Sequence, residues 1–261
     1  MEIKIYLNKS LEENAALCFD KAKKLKRKTQ GAREALEEQQ KKLEKLKKEE
    51  SKRIAKEEKI KKTEKKWFHK FRWFISSEGF LVIGGRDATT NEIVMKKHTR
   101  PEDLVFHTEM AGSPFVVIQA QSKPDQKQGE KPGEETMKEA AIFCASYSRA
   151  WQQGTTETDV YYITPEQVSK EAEHGEYLNK GAFMIRGKKN YIRAKLDIAL
   201  GLSDNNGVMA GPLSAVKMHC KEYVIVKQGN KKLSDVAKKI QKTVHAELDE
   251  IVRALPQGVS V

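Results

Sequence analysis

The sequence predicts an α+β fold: a mixed or antiparallel sheet with packed helices, preceded by a long coiled-coil helix. Three observations carry this expectation. An apolar seam recurs at steps of three and four from Leu11 to Leu46. From Phe71 to Lys227, short runs rich in β-branched and aromatic residues alternate with Gly, Pro, Asn and Ser clusters. Only two helical patterns interrupt and close that series, which places helices on a sheet rather than between parallel strands.

In chain order, Ile3–Leu7 reads as a short strand or an extended lead-in. Ser10 with Glu13 three residues on forms a capping box that starts the helix. The seam then runs through Leu11, Ala15, Cys18, Ala22, Leu25, Thr29, Ala32, Leu36, Gln39, Leu43 and Leu46, nine of the eleven being apolar. Continuing the register brings Glu50, Arg53 and Glu57 into the seam, so the stripe stops near Leu46. A helix from Ser10 to Lys66 would be about 85 Å long at 1.5 Å per residue. It cannot bury its stripe alone and calls for a partner helix, from a second copy or from a segment outside this sequence. Gly31 is its weak point, costing about 1 kcal/mol relative to alanine.

A basic coiled-coil arm is therefore expected over 1–66 and an α+β domain over 67–261. In the second, Phe71–Ser76 and Phe80–Gly84 read as a hairpin turned at Ser77-Glu78-Gly79, with Gly79 able to take a positive φ. Further strands are expected at Glu92–Lys96, Leu104–His107 and Phe115–Gln119. A polar loop follows over 121–133, then a helix from Glu134 to about Gln152 with a face of Met137, Ala140, Ala141, Cys144, Tyr147, Ser148 and Trp151. Strands resume at Asp159–Ile163, Ala182–Arg186, Tyr191–Leu196, Ile198–Leu202 and Tyr223–Lys227. A final amphipathic helix spans Leu233–Leu255 and is ended by Pro256 and Gly258.

Charge is unevenly spread. Residues 1–66 hold 22 Lys and Arg against 13 Asp and Glu, so most of the net +12 lies in the first quarter of the chain. Such a local excess favours polyanions through counterion release without specifying their sequence. The three cysteines, Cys18, Cys144 and Cys220, are odd in number and far apart, which fits a reducing compartment rather than a disulfide framework. No apolar run approaches the roughly 20 residues that span a bilayer, and the start lacks the apolar core of a signal peptide. A soluble cytoplasmic protein without membrane contact is expected.

The chemistry-bearing motifs are few. None of the six histidines has metal-ligand spacing to another histidine or to a cysteine, and no nucleotide-binding or hydrolase signature is present; no metal or cofactor is implied. Gly84-Gly85-Arg86-Asp87 has two readings: a strand-ending turn in which Asp87 bonds nearby amides, or a site where Arg86 faces a phosphate and Asp87 orients it. Asp103, His107 and Glu109 sit at even spacing and would share one strand face. That row could serve acid–base chemistry, contact a ligand or RNA, or be structural only. Gly112 and Ser113 form a turn whose amides could meet an anion. Lys180, Arg186, Lys188, Lys189 and Arg193 surround a basic hairpin in which Phe183 and Tyr191 could stack on bases or belong to the core.

The run WFHKFRWFISSEGFLVIGGRDATTNE resembles the opening of the NFACT-R domain. DLVFHTEMAGSPFVVI, EAAIFCASYSRAW, DVYYITPEQVSK, GEYLNKGAFMIRGKKNY and the terminal LPQG continue the likeness in order from Trp67 to Gly258. The preceding IKIYLNKSLEENAALCFDKAKKLKRK looks like the returning arm of the coiled coil in long NFACT proteins. The resemblance implies an NFACT-R-like fold and a non-enzymatic role in ribosome quality control. It implies contact with tRNA or rRNA on the large ribosomal subunit that carries a stalled nascent chain. It places the family's aspartate–aromatic–histidine element on Asp103, Phe106 and His107, and its glycine–arginine–aspartate turn on Gly85, Arg86 and Asp87. Long members carry upstream domains that this sequence does not include, and the residues credited with tRNA selection for tailing lie there, so tailing is not implied. A short paralogue or a fragment is expected. The alternatives are a self-associating coiled-coil adaptor whose head binds protein or DNA, and a hydrolase built on His107 and Asp103.

Overall fold

The computed structural model describes residues 4–59, 66–122, 131–170, 180–204 and 207–261. The chain divides into two compact units, Met1–Lys59 and Ile60–Val261. Among the described residues no helix is long and apolar enough to cross a membrane.

The first unit is one helix, α1 (Leu11–Lys59). Its start is the capping box expected from the sequence: the Glu13 amide donates to Ser10 Oγ at 3.2 Å and the Ser10 amide to Glu13 Oε2 at 2.9 Å. Lys4–Leu7 does not form a strand. Asn14 replaces that pairing locally, accepting from the Tyr6 amide at 2.8 Å and donating to the Tyr6 carbonyl at 3.0 Å, which folds the lead-in over the first helical turn. The helix passes through Gly31 unbroken. Leu25, Leu36, Leu43 and Leu46 are all more than half exposed, so the seam has no partner within the helix itself. The expected continuation toward Lys66 runs into residues 60–65, which lie outside the described residues.

The second unit begins with a 3₁₀ turn, Trp67–Lys70, and proceeds through β1 (Arg72–Ile75), β2 (Leu81–Gly84), α2 (Ala88–Lys97), β3 (Leu104–Thr108) and β4 (Val116–Ile118). Next come α3 (Glu134–Ser146), α4 (Arg149–Gln152), β5 (Glu157–Ile163), β6 (Val168–Ser169), β7 (Met184–Ile185) and β8 (Asn190–Lys195). The chain ends with β9 (Ile198–Ser203), β10 (Gly207–Gly211), α5 (Leu213–His219), β11 (Cys220–Lys231), α6 (Leu233–Val244), α7 (Leu248–Ala254) and β12 (Val259–Ser260). The class is α+β, and every strand pairing is antiparallel. The strands form a six-stranded sheet in the order β1-β2-β4-β3-β5-β8, a four-stranded sheet β10-β9-β11-β12, and the small pair β6-β7. The β10 strand and α5 have no counterpart in the sequence expectation.

Three local expectations change, each for a physical reason. The strand expected at Glu92–Lys96 is helical. Asp87 caps it, its Oδ1 accepting from the Thr90 amide at 2.8 Å while Thr90 Oγ1 accepts from the Asp87 amide at 2.9 Å. A threonine thus completes a capping box that is usually completed by Glu or Gln, and the cap overrides the β-branched composition of the segment. The helix expected from Glu134 to Gln152 breaks at Tyr147–Ser148, where Ser148 is extended and its Oγ accepts from the Ala150 amide at 3.2 Å, capping a new helix. The final helix breaks at His245, the one non-glycine residue with positive φ (53°) among those described. His245 is solvent-exposed and there is no side-chain reason for the left-handed backbone, so His245→Gly is expected to raise the unfolding free energy by about 1 kcal/mol in urea titrations.

The core joins the two large sheets where β1 meets β10. Phe74 is fully buried against Phe143 of α3, with ring centroids 4.8 Å apart. A side chain at Gly211 would stand 2.8 Å from Phe74 Cβ, so only glycine allows this approach. Two family motifs far apart in sequence are bonded here. Trp151 Nε1 donates to the Gly258 carbonyl at 2.8 Å, and the Tyr147 hydroxyl donates to the Ala254 carbonyl.

Candidate nucleic-acid interface

A cleft of about 420 Å³ opens where three loops converge. The β2–α2 turn supplies Gly85, Arg86 and Asp87; the segment from β3 to β4 supplies His107 and Gly112–Phe115; the approach to β7 supplies Lys180–Phe183. Of the residues singled out in the sequence, Gly85, Arg86, Asp87, His107, Glu109, Gly112, Ser113, Lys180 and Phe183 line this one cleft.

Each is held by its own local chemistry. A side chain at Gly85 would place its Cβ 1.8 Å from Asn91 Oδ1, which itself accepts from the Phe115 amide at 3.2 Å. Glycine here lets α2 lock onto the start of β4. Asp87 is the helix cap, and hydrogen bonds from the Thr90 amide hold its carboxyl below the usual range. The structural reading of this aspartate is thus correct. Arg86 is half-buried and its Nη2 donates to the Arg253 carbonyl at 2.7 Å. Lys180 is exposed at the rim, and the adjoining Gly181 amide donates to Glu92 Oε1 at 3.1 Å. The Glu92 carboxyl is held at about 2, chiefly by its hydrogen bond from Lys170.

His107 lies on the cleft wall with its ring 4.4 Å from that of Phe115, and its Nδ1 is 2.5 Å from the Thr108 carbonyl and 3.3 Å from the Tyr161 hydroxyl. Burial lowers its pKa, opposed by the carbonyls of Thr108 and Ser113. Burial likewise lowers that of His98. Because both folded values lie below that of the unfolded chain, the unfolded state gains protons first on acidification. Stability is full above the ordinary value of 6.5 and is lost as pH falls below it. Melting temperatures taken between pH 7.5 and 5.5 are expected to fall, and His107→Gln to flatten that dependence.

The even spacing of Asp103, His107 and Glu109 does not put all three in one row: His107 and Glu109 line the cleft and Asp103 does not. Asp103 is buried just before β3, where its carboxylate accepts from the amides of Arg100 and Ala120, each at 2.8 Å. It faces a different hollow, lined by Leu104, Tyr162 and Tyr191. Glu109 lies beyond the strand and binds Lys189 Nζ at 2.8 Å and the Tyr191 hydroxyl at 2.7 Å. Phe106 is 0% exposed and packs on Tyr162, so it supports the sheet and presents no contact surface. Ser113 is buried as well: its amide donates to Met110 O at 3.4 Å and its hydroxyl pairs with Thr108 Oγ1, so this amide is already engaged rather than bare. Gly112 (φ 86°) leaves room for Arg149, whose Nε lies 3.3 Å from where a Cβ would be.

The basic hairpin also separates into two groups. Lys189 is neutralised by Glu109 and lies over the Tyr161 ring, and Arg193 pairs with Glu157 at 3.0 Å. Arg186 and Lys188 are exposed and, like Lys180, have no ion pair among the described residues. Gln167 clamps their turn, donating to the carbonyls of Arg186 and Lys188 at 2.8 and 3.0 Å. Phe183 is half-buried, edge-on to Phe115. Arg72 escaped sequence reading, because nothing in its neighbours marks it and only the fold carries it to the cleft.

Residues 70–187 match the family model described as NFACT protein RNA binding domain. The archaeal Rqc2 homolog aRqcH of Methanocaldococcus jannaschii is 40% identical over 74% of this chain and 29% of its own length. The human ribosome quality control complex subunit NEMF is 38% identical over 69% of this chain and 16% of its own. The C-terminal part of the fibronectin/fibrinogen-binding protein from Streptococcus suis aligns at a TM-score of 0.39 and 21% identity, over 50% of this chain and 46% of that one. The chain thus spans under a third of the length of the two ribosome quality control relatives. On the match to its central domain and on these relatives, the chain is an NFACT-R domain protein of the ribosome quality control family.

Proposed function

We propose that this chain is an RNA-binding module of ribosome quality control, contacting tRNA or rRNA on a large ribosomal subunit that carries a stalled nascent chain. The observation that carries the reading is the cleft lined by Arg72, Arg86 and Lys180 in a domain matched by an RNA-binding model, with Lys180, Arg186 and Lys188 exposed and without an ion pair among the described residues. The relatives named for ribosome quality control supply the setting. The module is a binder rather than an enzyme: His107 sits among Phe115, Tyr161 and backbone carbonyls, and Asp103 is spent on two amides. The basic arm adds phosphate contacts without sequence preference. Its exposed leucine seam takes a partner helix, from a second copy or from a longer protein.

The test is co-sedimentation with purified large subunits together with filter binding to tRNA over a salt series. The protein is expected to sediment with the subunits at low salt and leave them as salt rises. The double variant Lys180→Glu, Lys188→Glu should weaken tRNA binding and lower the slope of log affinity against log salt by about 0.9 per lost contact. Both side chains are exposed, so the fold should be unchanged. Protein that stays at the top of the gradient at low salt overturns the ribosomal setting and favours an adaptor that self-associates through the seam.

A further inference from the structure

A second basic cavity, of about 270 Å³, lies between the Trp67–Lys70 turn and the end of α7. Three guanidiniums approach it from distant parts of the chain: Arg72, Arg86 and Arg253. Arg72 lies over the Tyr147 ring, 4.5 Å from its centroid, and its Nη1 donates to the Gly85 carbonyl at 3.1 Å. Its Nε is buried with no hydrogen-bond partner among the described residues. Arg86 donates to the main-chain carbonyl of Arg253. Burial, and then the charge of Arg253, lowers the pKa of Arg86; burial leads for Arg72 too, with Arg86 adding to it. Lys66 and Lys70 also line the cavity, and Glu250 is the one carboxylate among its lining residues. Arginine does not give up its proton in a protein. The three guanidiniums and Lys70 thus gather positive charge that an entering anion would offset.

The shape of that anion follows from the donors and from the other walls. Forked guanidiniums match the oxygens of a phosphate. Most of the remaining lining is apolar or aromatic, with Phe71, Trp73 and Val208, and His69 stands among them. Trp67 stacks on His98 with centroids 4.5 Å apart and stays 43% exposed, a platform on which a base can stack. The volume lies at the small end for ligand pockets, suited to one nucleotide rather than a duplex. We propose that this cavity is a single-nucleotide subsite, with the phosphate held by Arg72, Arg86 and Arg253 and the base against Trp67. The inference rests on the RNA-binding reading and extends it. Arg72 and Arg86 line both cavities, so one unpaired strand can run from the Lys180 cleft into this subsite.

The experiment titrates the full chain with inorganic phosphate, 5′-adenosine monophosphate and a short single-stranded RNA, following tryptophan emission and melting temperature against sodium chloride of equal ionic strength. The mononucleotide is expected to quench emission and raise the melting temperature, with phosphate acting more weakly, and the RNA should compete with the mononucleotide. Arg253→Gln should weaken mononucleotide and phosphate at least tenfold. Its side chain is exposed and the Arg86 bond is to its main chain, so its melting temperature should stay that of the parent. Trp67→Ala should weaken the mononucleotide and leave phosphate unchanged. No response beyond that of sodium chloride, or wild-type binding by Arg253→Gln, overturns the subsite. If RNA still binds Arg253→Gln with undiminished affinity, the subsite fails while the RNA-binding reading stands. If the mononucleotide binds and RNA does not, the RNA-binding reading fails, and with it the assignment of this cavity to an RNA strand.

Discussion

Phe106→Ala is expected to destabilise the head domain by about 3–5 kcal/mol in urea or thermal unfolding, as for other buried phenylalanines. The side chain is 0% exposed and packs against Tyr162, on a strand paired on both sides in the middle of the six-stranded sheet. Truncation leaves a cavity that neighbours held by ladder hydrogen bonds cannot close. Any loss of RNA binding in this variant would track the unfolded fraction and recover in conditions that restore the fold. Phe106→Leu, which keeps most of the volume, should retain most of the stability and normal RNA binding. Loss of binding by a fully folded Phe106→Leu would show that the aromatic ring meets the ligand, contrary to its burial. Within the family's aspartate–aromatic–histidine element, Asp103 and Phe106 are thus supports, and His107 alone reaches the cleft.

Trp151→Ala is expected to cost a similar amount, about 3–5 kcal/mol. The indole is 2% exposed, and its Nε1 bond to Gly258 ties α4 to the segment before β12. Loss should be felt at both ends of that tie, so hydrogen exchange is expected to speed up at the amides of Val259 and Ser260 as well as around α4. Trp151→Phe keeps the apolar contact and drops the bond, and should cost about 1–2 kcal/mol. Equal exchange rates at Val259 in the parent and Trp151→Ala would mean that the terminal strand is held by its pairing with β11 alone. The bond also links two segments about a hundred residues apart: the second half of EAAIFCASYSRAW uses the carbonyls of the terminal segment as acceptors.

Features that depend on neighbours within a few residues were legible before folding. The Ser10 capping box, the seam of α1, the hairpin turned at Gly79 and the α+β class all follow from spacing and turn chemistry, because their hydrogen bonds close over three or four positions. One reading of Asp87 had it bonding nearby amides, but that this bond caps a helix where β-branched residues suggested a strand required Thr90 to complete the box. Placement in three dimensions was a different matter. Even spacing put Asp103, His107 and Glu109 on one face, but a carboxylate that captures two loop amides took Asp103 to a different hollow, while His107 and Glu109 line one cleft. The cations divided in the same manner: Lys189 and Arg193 found carboxylates, while Lys180, Arg186 and Lys188 did not find one among the described residues. Only the tertiary structure could bring Arg72, Arg86 and Arg253 to one cavity. They come from two strand ends and a terminal helix, and their meeting depends on how the two sheets and α7 pack, a balance of long-range burial that no local pattern encodes.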